Sequence, residues 1–418
     1  MKYVLSLGIN DYRNCSGGTN KVILAHQKMF KEYGYGYIYV CPLSKKKNTM
    51  WEIIINNRYK GVKKTKQLLY FLFEICKGNN SILGIHIHHL IGASLREVDE
   101  LLSKLNVDIK YYIHDFFSIC PSVKLLKDNM VWCGSEQMSA EKCGKCIHYE
   151  TGKEQNYDLR ELIKKYKERI TFVAPSNSAK ELWVRAYEEY QDRVLVINHQ
   201  QLQGTYNKNK ETIKDKIRVG YLGEQVYSKG WDTWRQIMNT TDDDRYEYYY
   251  FGKAKDYIKR LTNIKVDFRK NIDAMINALR KNPIDCVVLW SIWGETYSYT
   301  YYESLASNVF VITNNISGNI AKQVEERKNG IVLRDENELI NLFSNYELLC
   351  KCINEYKLNG KAGPENLLEN PEIILYINEH KDTKIVQVEK CASTMEEVLN
   401  SFFYGILQIA YWVKRRML

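Results

Sequence analysis

The chain has 418 residues, 45% hydrophobic and 26% charged, a balance that excludes a disordered or fibrous protein and a length that suits two domains better than one. The formal charge is +10, and residues 1–170 hold 27 Lys and Arg against 17 Asp and Glu, so the cationic excess sits wholly in the first part of the chain. That asymmetry points to a polyanionic or membrane-borne partner, with a coding bias toward Lys, Asn, Ile and Tyr as the alternative source.

Tyr3 to Ile9 reads as a first strand. The loop NDYRNCSGGTN follows, and then a helix from about Asn20 with Val22, Ile23, His26, Met29 and Phe30 on one face. The pair Gly17 and Gly18, just before that helix, lets backbone amides approach an anion closely. Strands at Tyr37–Cys41, Ile82–His86 and Lys110–His114 alternate with helical stretches around Thr65–Cys76 and Ser94–Leu105, the pattern of a doubly wound parallel α/β sheet. Ligands of such sheets sit at the carboxyl ends of the strands. His114 and Asp115 lie at one such end, and His86, His88 and His89 at another, with His88 or His89 expected as pocket wall.

Cys120, Cys133, Cys143 and Cys146 follow, in a stretch with little periodicity. One C-x-x-C knuckle and two outlying cysteines can make a four-thiolate structural zinc site, against unligated thiols as the alternative. The total of eleven cysteines, an odd number, reads as reduced thiols in a cytoplasm. The opening MKYVLSLGIN lacks the pattern of a signal peptide, and no apolar run is long enough to predict a transmembrane helix.

Asp158–Lys167 reads as a charged helix, Thr171–Ala174 as a strand running into a Ser-capped helix, and Arg193–Ile197 as another strand. The polar run from Gln200 to Lys216 has linker composition. This places a first domain at 1–200, a linker at 201–216 and a second domain at 217–393. A second Rossmann-like sheet is expected from strands at Ile217–Leu222, Glu247–Phe251, Ile264–Val266 and Cys286–Leu289, with helices at Lys255–Leu261 and Ile272–Arg280. No G-x-G-x-x-G follows a strand, which argues against a dinucleotide dehydrogenase, and neither a nucleophile elbow nor H-E-x-x-H occurs. Glu338–Tyr356 reads as helical and Gly360–Pro371 as a loop. An apolar helix from Met395 to Val413 ends in Lys414-Arg415-Arg416. It is expected to cross back and bury itself on the first domain, with docking on an anionic bilayer as the competing idea.

The most informative stretch is Cys286 to Gly330. An apolar strand ends in Gly294, and a helix is expected to carry Glu295 at its mouth and Glu303 two turns on, so that two carboxylates share one side about 12 Å apart. SGN (Ser317–Asn319) then opens a further helix, and NGIVL (Asn329–Leu333) closes the unit. This segment resembles the donor-binding half of retaining GT-B glycosyltransferases of the family-4 type, whose signature is Glu, seven residues, Glu, a turn of small residues and an NG-apolar strand.

The resemblance covers roughly residues 3–345. It implies two Rossmann-like domains facing across a cleft, and transfer of a sugar, hexosyl in type, from a nucleoside diphosphate sugar to a glycan or polyprenyl-linked acceptor in surface polysaccharide assembly. No nucleic acid and no catalytic metal are implied. Glu295 and the amides of Thr296 and Tyr297 would meet the sugar and diphosphate, Glu303 the ribose, Lys229 the diphosphate charge, His114 the sugar or acceptor, and Gly17-Gly18 the donor or acceptor. Where the family has Gly-Arg, this chain has Gly223-Glu224, which removes half of the expected cationic clamp. The alternatives are a GT-B-shaped nucleotide-sugar epimerase and a non-catalytic nucleotide-sugar or glycan-binding protein.

Overall fold

The computed structural model describes residues 1–14, 17–43, 50–206, 211–241, 244–253, 258–268, 271–377 and 395–417. The first domain is built on β1 (Lys2–Leu7), β2 (Gly36–Pro42), β3 (Met50–Ile55), β4 (Arg58–Lys64), β5 (Ser81–Ile87) and β6 (Asp108–Tyr112). A small hairpin, β7 (Leu126–Lys127) with β8 (Val131–Trp132), precedes β9 (Ile170–Ala174) and β10 (Val194–Val196). Eight strands form one sheet in the order β10-β9-β6-β5-β1-β2-β3-β4. It is parallel from β10 to β2, and β3 and β4 extend it as an antiparallel hairpin.

The second domain is a six-stranded parallel sheet, ordered β14-β13-β12-β15-β16-β17, from β12 (Ile217–Leu222), β13 (Tyr246–Gly252), β14 (Leu261–Lys265), β15 (Cys286–Val288), β16 (Phe310–Asn314) and β17 (Gly330–Leu333). Parallel strands covered by helices on both faces need apolar side chains pointing both ways, so their sequences are nearly unbroken apolar runs. Leu5, Ile85, Val219, Val287 and Ile312 are accordingly at zero exposure. In β13 (YEYYYFG), Tyr246, Tyr248 and Tyr250 are buried, and Tyr248 and Tyr250 belong to a core with Trp234, Ile237 and Leu339.

Three elements differ from the sequence reading. The hairpin β3–β4 was not expected. Its turn is Asn56-Asn57, both at positive φ (47° and 68°), the two-residue geometry that matches strand twist. Part of the expected linker is a strand, β11 (Gln200–Gln203), paired antiparallel with β18 (Asn366–Glu369) inside the expected loop; residues 207–210 of that linker lie outside the described residues. Of the helix expected at Lys255–Leu261, residues 255–257 are also outside them, residues 258–260 are not helical, and Leu261 instead opens β14.

The C-terminal helix, Met395–Met417, lies on β4 of the first domain, but its contacts are polar. Glu397 accepts from the Lys64 amide, and the Ser401 hydroxyl bonds both the N–H and the carbonyl of Val62. Of the apolar side chains expected to be buried there, Phe402, Phe403, Ile406 and Ile409 are exposed instead.

Beside the carboxyl ends of β5 and β6 the rings of His26, His86, His88, Tyr112, His114 and His199 pack into one pile. The His88 and Tyr112 rings stack 4.3 Å apart, and His88 Nδ1 meets His114 Nε2 at 2.8 Å. Tyr112 Oη and His86 Nδ1 are 2.9 Å apart, and the His114 and His199 rings 5.6 Å. Burial pushes the pKa of His26 and His199 down to about 3, and acts in the same direction on His86, His88 and His114, with repulsion from neighbouring imidazoles adding to it. These rings are therefore neutral at neutral pH.

The unfolded chain protonates its histidines near pH ~6.5 while the folded chain does not. Below that pH the unfolded state binds more protons, so stability falls as acid is added. The expected outcome is a denaturation midpoint that is flat above about pH 7 and drops toward pH ~5, losing about 1 kcal/mol per pH unit per histidine. His26→Phe should make that drop shallower.

Candidate active site

The loop from Leu289 to Ser298 runs from the end of β15 to the interface between the domains. It is anchored from behind by Thr313 Oγ1, which donates to the Leu289 carbonyl at 2.7 Å, and by Asn314 Nδ2 and Ser317 Oγ, which both donate to the Ser291 carbonyl (2.9 and 3.0 Å). Gly318 sits at φ +61°, and a Cβ there would come within 2.6 Å of the Glu295 nitrogen. Only glycine allows the SGN turn to press on the Glu295 backbone this closely. The Asn319 amide then donates to the Glu295 carbonyl at 2.8 Å.

From the front, the first domain holds the same loop. Thr296 Oγ1 donates to the His114 carbonyl at 2.7 Å, and Ser176 Oγ donates to the Thr296 carbonyl at 2.7 Å. Ser176 is also the N-cap of the helix Asn177–Val184, accepting from the Ala179 amide at 3.0 Å. Trp293 packs into the first domain's core, edge-on to Phe116. At the end of the loop Ser298 is left-handed (φ +70°), a strained conformation for a residue with a side chain. Among the described residues no acceptor is assigned to the N–H groups of Thr296 and Tyr297.

The two glutamates are both buried, but they do not share a helix. The helix begins at Tyr299 and ends at Leu305, so Glu295 is a loop residue and Glu303 a helical one. The Pro-free, aromatic run TYSYTYY hides this, because Ser298 turns the chain before the helix starts. A seven-residue helix starting beyond Glu295 also contributes little dipole at that carboxylate.

Each glutamate has its own lysine. Glu295 Oε1 is bonded by Lys229 Nζ and by Ser291 Oγ, the latter at 2.9 Å. Lys229 is about one-third exposed, and its ammonium lies 5.5 Å from the centre of the Trp293 ring. Gly230 follows it at φ +75°, where a Cβ would come within 2.1 Å of the Trp290 carbonyl oxygen. Glu303 Oε1 pairs at 3.1 Å with Lys21 Nζ, from the first helix of the other domain, and that ammonium sits 4.2 Å above the Tyr299 ring. Gly17 precedes and Gly18 opens the same helix, Gly18–Glu32, and Gly18 faces Tyr299.

Two cations were missed from the sequence. Lys21 is one. The other is Lys124, in the loop after Cys120-Pro121, whose Nζ donates across the interface to Ser228 Oγ at 2.7 Å. Burial pushes its pKa down, and the Lys229 charge pushes the same way. Two lysines close enough to repel, one from each domain, stand near Glu295 where Glu224, an exposed residue, offers no positive charge. Neither Lys21 nor Lys124 belongs to a spacing pattern that would have flagged it.

His114 and Asp115 are partly exposed at the cleft, while His88 and His89 are buried behind them. His89 Nε2 lies 3.1 Å from Asp115 Oδ2. Burial opposes ionisation of Asp115, but the His89 contact and the Phe117 amide outweigh it and hold its pKa below the usual carboxylate range.

The proposed zinc site is corrected. Among the described residues one set of three donor atoms lies within 4.8 Å of one another, and it is His26, His86 and His88, not the cysteines. Cys120 is buried, and Cys133 Sγ donates to the Leu125 carbonyl at 2.9 Å. Cys143 and Cys146 bracket the gap between two helices. The loop is held by such bonds and by the β7–β8 hairpin; the four thiols lie near enough to act on one another electrostatically, but no three of their sulfurs form a tight donor set. Within the histidine set His88 Nδ1 meets His114 and His86 Nδ1 meets Tyr112, while His26 Nδ1 and His88 Nε2 have no hydrogen-bond partner among the described residues, and the set gives no evidence of zinc.

No protein-family model and no curated protein matches this sequence. Solved structures do resemble it. Sucrose-phosphate synthase from Thermosynechococcus elongatus aligns with a TM-score of 0.52 at 12% identity, over 90% of this chain and 96% of that one. S. aureus TarM, in a complex with fondaparinux, α-GlcNAc-glycerol and UDP, gives 0.52 at 10% identity over 86% and 96%. Anabaena HepE, in a complex with UDP and glucose, gives 0.50 at 11% over 85% and 92%. At such identities the likeness is one of architecture, and the chain has the GT-B fold, two Rossmann-like domains facing each other across a cleft.

Proposed function

We propose that this chain is a retaining glycosyltransferase that moves a sugar, hexosyl in type, from a nucleoside diphosphate sugar to a glycan or lipid-linked saccharide. The observation that carries the reading is the meeting of Lys229, Lys124 and the Thr296 and Tyr297 amides around Glu295 at the domain interface. A departing diphosphate needs fixed positive charge placed before the bond breaks, and this set supplies it from lysines and amides. Lys124, reaching over from the first domain, takes the place left empty by Glu224. Glu295 fits a role at the sugar hydroxyls and the Lys229 ammonium. Glu303 fits the ribose, with Lys21 yielding its bond as the nucleotide enters, and His114 fits the sugar or acceptor. The UDP in the TarM and HepE complexes makes a uridine donor the first to try. The retaining stereochemistry, the polysaccharide pathway and a cytoplasmic site of action rest on the sequence resemblance.

Glu224 at the expected arginine position favours one rival, a nucleotide-sugar-binding protein without turnover. The test is nucleoside diphosphate release from a panel of nucleotide sugars, with and without saccharide acceptors. Turnover is expected, and Glu295→Gln should lower kcat by about 100-fold or more while the donor still raises the melting temperature. Binding with no release on any acceptor would establish the rival instead.

Lys124→Met should reduce kcat/KM by about 10- to 100-fold, the effect of losing one charge-assisted contact to a phosphate. Because its pKa is lowered in the free protein and an anion would raise it, donor binding in alkaline buffer should take up protons. Calorimetry in buffers of different ionisation enthalpy reads this directly, and Lys124→Met should abolish the uptake. Gly318→Ala should cost about 1–3 kcal/mol of stability through the left-handed backbone and the contact with Glu295. The same variant should lower turnover by displacing that residue.

A further inference from the structure

The helix Met395–Met417 is amphipathic, but it is turned inside out for a soluble protein. Glu397, Ser401 and Gln408 face the first domain. Gln408 Nε2 donates to Asp11 Oδ2 at 3.0 Å and to Glu52 Oε1 at 2.9 Å, and its Oε1 accepts from Arg13 Nη2 at 2.9 Å. On the other side Met395, Val398, Leu399, Phe402, Phe403, Ile406 and Ile409 are each between 51% and 74% exposed. Their spacing of three and four makes one continuous stripe, whereas a helix docked on a core turns such a stripe inward. Seven large apolar side chains in a row exceed the roughly 300–600 Å² patch that a monomer ordinarily leaves in water.

Charge around this stripe is sorted by sign. The helix has two carboxylates, Glu396 and Glu397, both in its first turn, and Glu397 is buried against the Lys64 amide. Asp11 and Glu52 are buried beneath Gln408. Arg58 and Lys60 on β4 and Lys66 just after it are exposed, and the sequence puts Lys414, Arg415 and Arg416 in the helix's last turn. No helix among the described residues is long and apolar enough to cross a membrane, so this one can lie on a bilayer but not span it. A second copy of the chain would set cation against cation.

We propose that the outer face of this helix docks the protein on an anionic lipid bilayer, with the stripe from Met395 to Ile409 seated at the acyl boundary and the basic residues at the phosphate level. The polar inner face keeps the helix on β4 without drawing the apolar face out of reach. Gln408 joins it to the Asp11 and Arg13 loop, which leads to Gly17 and Gly18. The proposal does not depend on the catalytic reading.

Flotation of the full chain with phosphatidylcholine vesicles containing phosphatidylglycerol, against phosphatidylcholine alone, tests it. Binding is expected to the anionic vesicles, about tenfold or more weaker to the neutral ones, and reduced by high salt. The exposed double substitution Phe402→Ser with Ile406→Ser should weaken binding by about tenfold or more, with circular dichroism and nucleoside diphosphate release in solution unchanged. The idea is overturned if the parent chain does not float with anionic vesicles, or if the double variant floats equally well. It is also overturned if light scattering finds a dimer that the substitutions dissolve while neither form binds vesicles. Loss of donor turnover with vesicle binding intact would count against the catalytic proposal alone.

Discussion

Thr296 is bound twice by the opposite domain, through its hydroxyl to the His114 carbonyl and through its own carbonyl to the Ser176 hydroxyl. The loop from Leu289 to Ser298 takes its position at the interface from that double anchor. A loop that leaves a strand of one domain and is fixed at its tip by the other cannot follow either sheet alone. It presents Glu295 and the two following amides as a rigid edge, and the strained Ser298 lies directly beyond the anchor, where the surrounding bonds hold a conformation the chain would not choose. The Ser291, Asn314 and Ser317 network supports the same edge from behind. The site is therefore a product of two folds meeting, and neither sheet contains it.

The electrostatics of the interface follow from the same arrangement. Buried carboxylates are costly unless paired, and each of the two glutamates has a lysine against it. One pair is internal to the second domain. The other, Lys21 with Glu303, crosses between the domains, with both partners less than one-tenth exposed. Lys124 crosses in the same sense but meets a hydroxyl and another lysine. It carries a charge without a carboxylate partner of its own at the interface, among the described residues. An anion entering there relieves repulsion as well as gaining contacts.

How much of this could be read beforehand depended on range. Central strands such as Val4–Leu7 and Phe310–Ile312 are apolar on both faces, and the runs survive in the linear sequence. The edge hairpin β3–β4 was invisible because β4 reads RYKGVKK and its turn is Asn-Asn rather than Asn-Gly. The strands β11 and β18, QQLQ and NLLE, are too short and polar to carry a period. Within the site, the residues inside the Glu-x7-Glu and SGN motifs were legible as types, but the helix start was misplaced by four residues, which separated the two carboxylates onto different elements. Lys21 and Lys124 became visible only with tertiary structure, since a lysine in a basic first domain is unremarked until something acidic or anionic faces it. The C-terminal helix was legible as a helix but was read as apolar and buried; which face turns inward depends on β4, whose exposed edge needs hydrogen-bond partners and finds them in Ser401 and Glu397.

The chain leaves the first domain through residues 197–206 and returns at residues 360–372, and the four-residue ladder of β11 with β18 stitches the two passages together. Two covalent strands zipped side by side resist shear and stretching far better than twisting about their common axis. Any relative movement of the halves is therefore expected to be a door-like swing about that ladder, in which the distance between jaws changes while the line of the hinge does not.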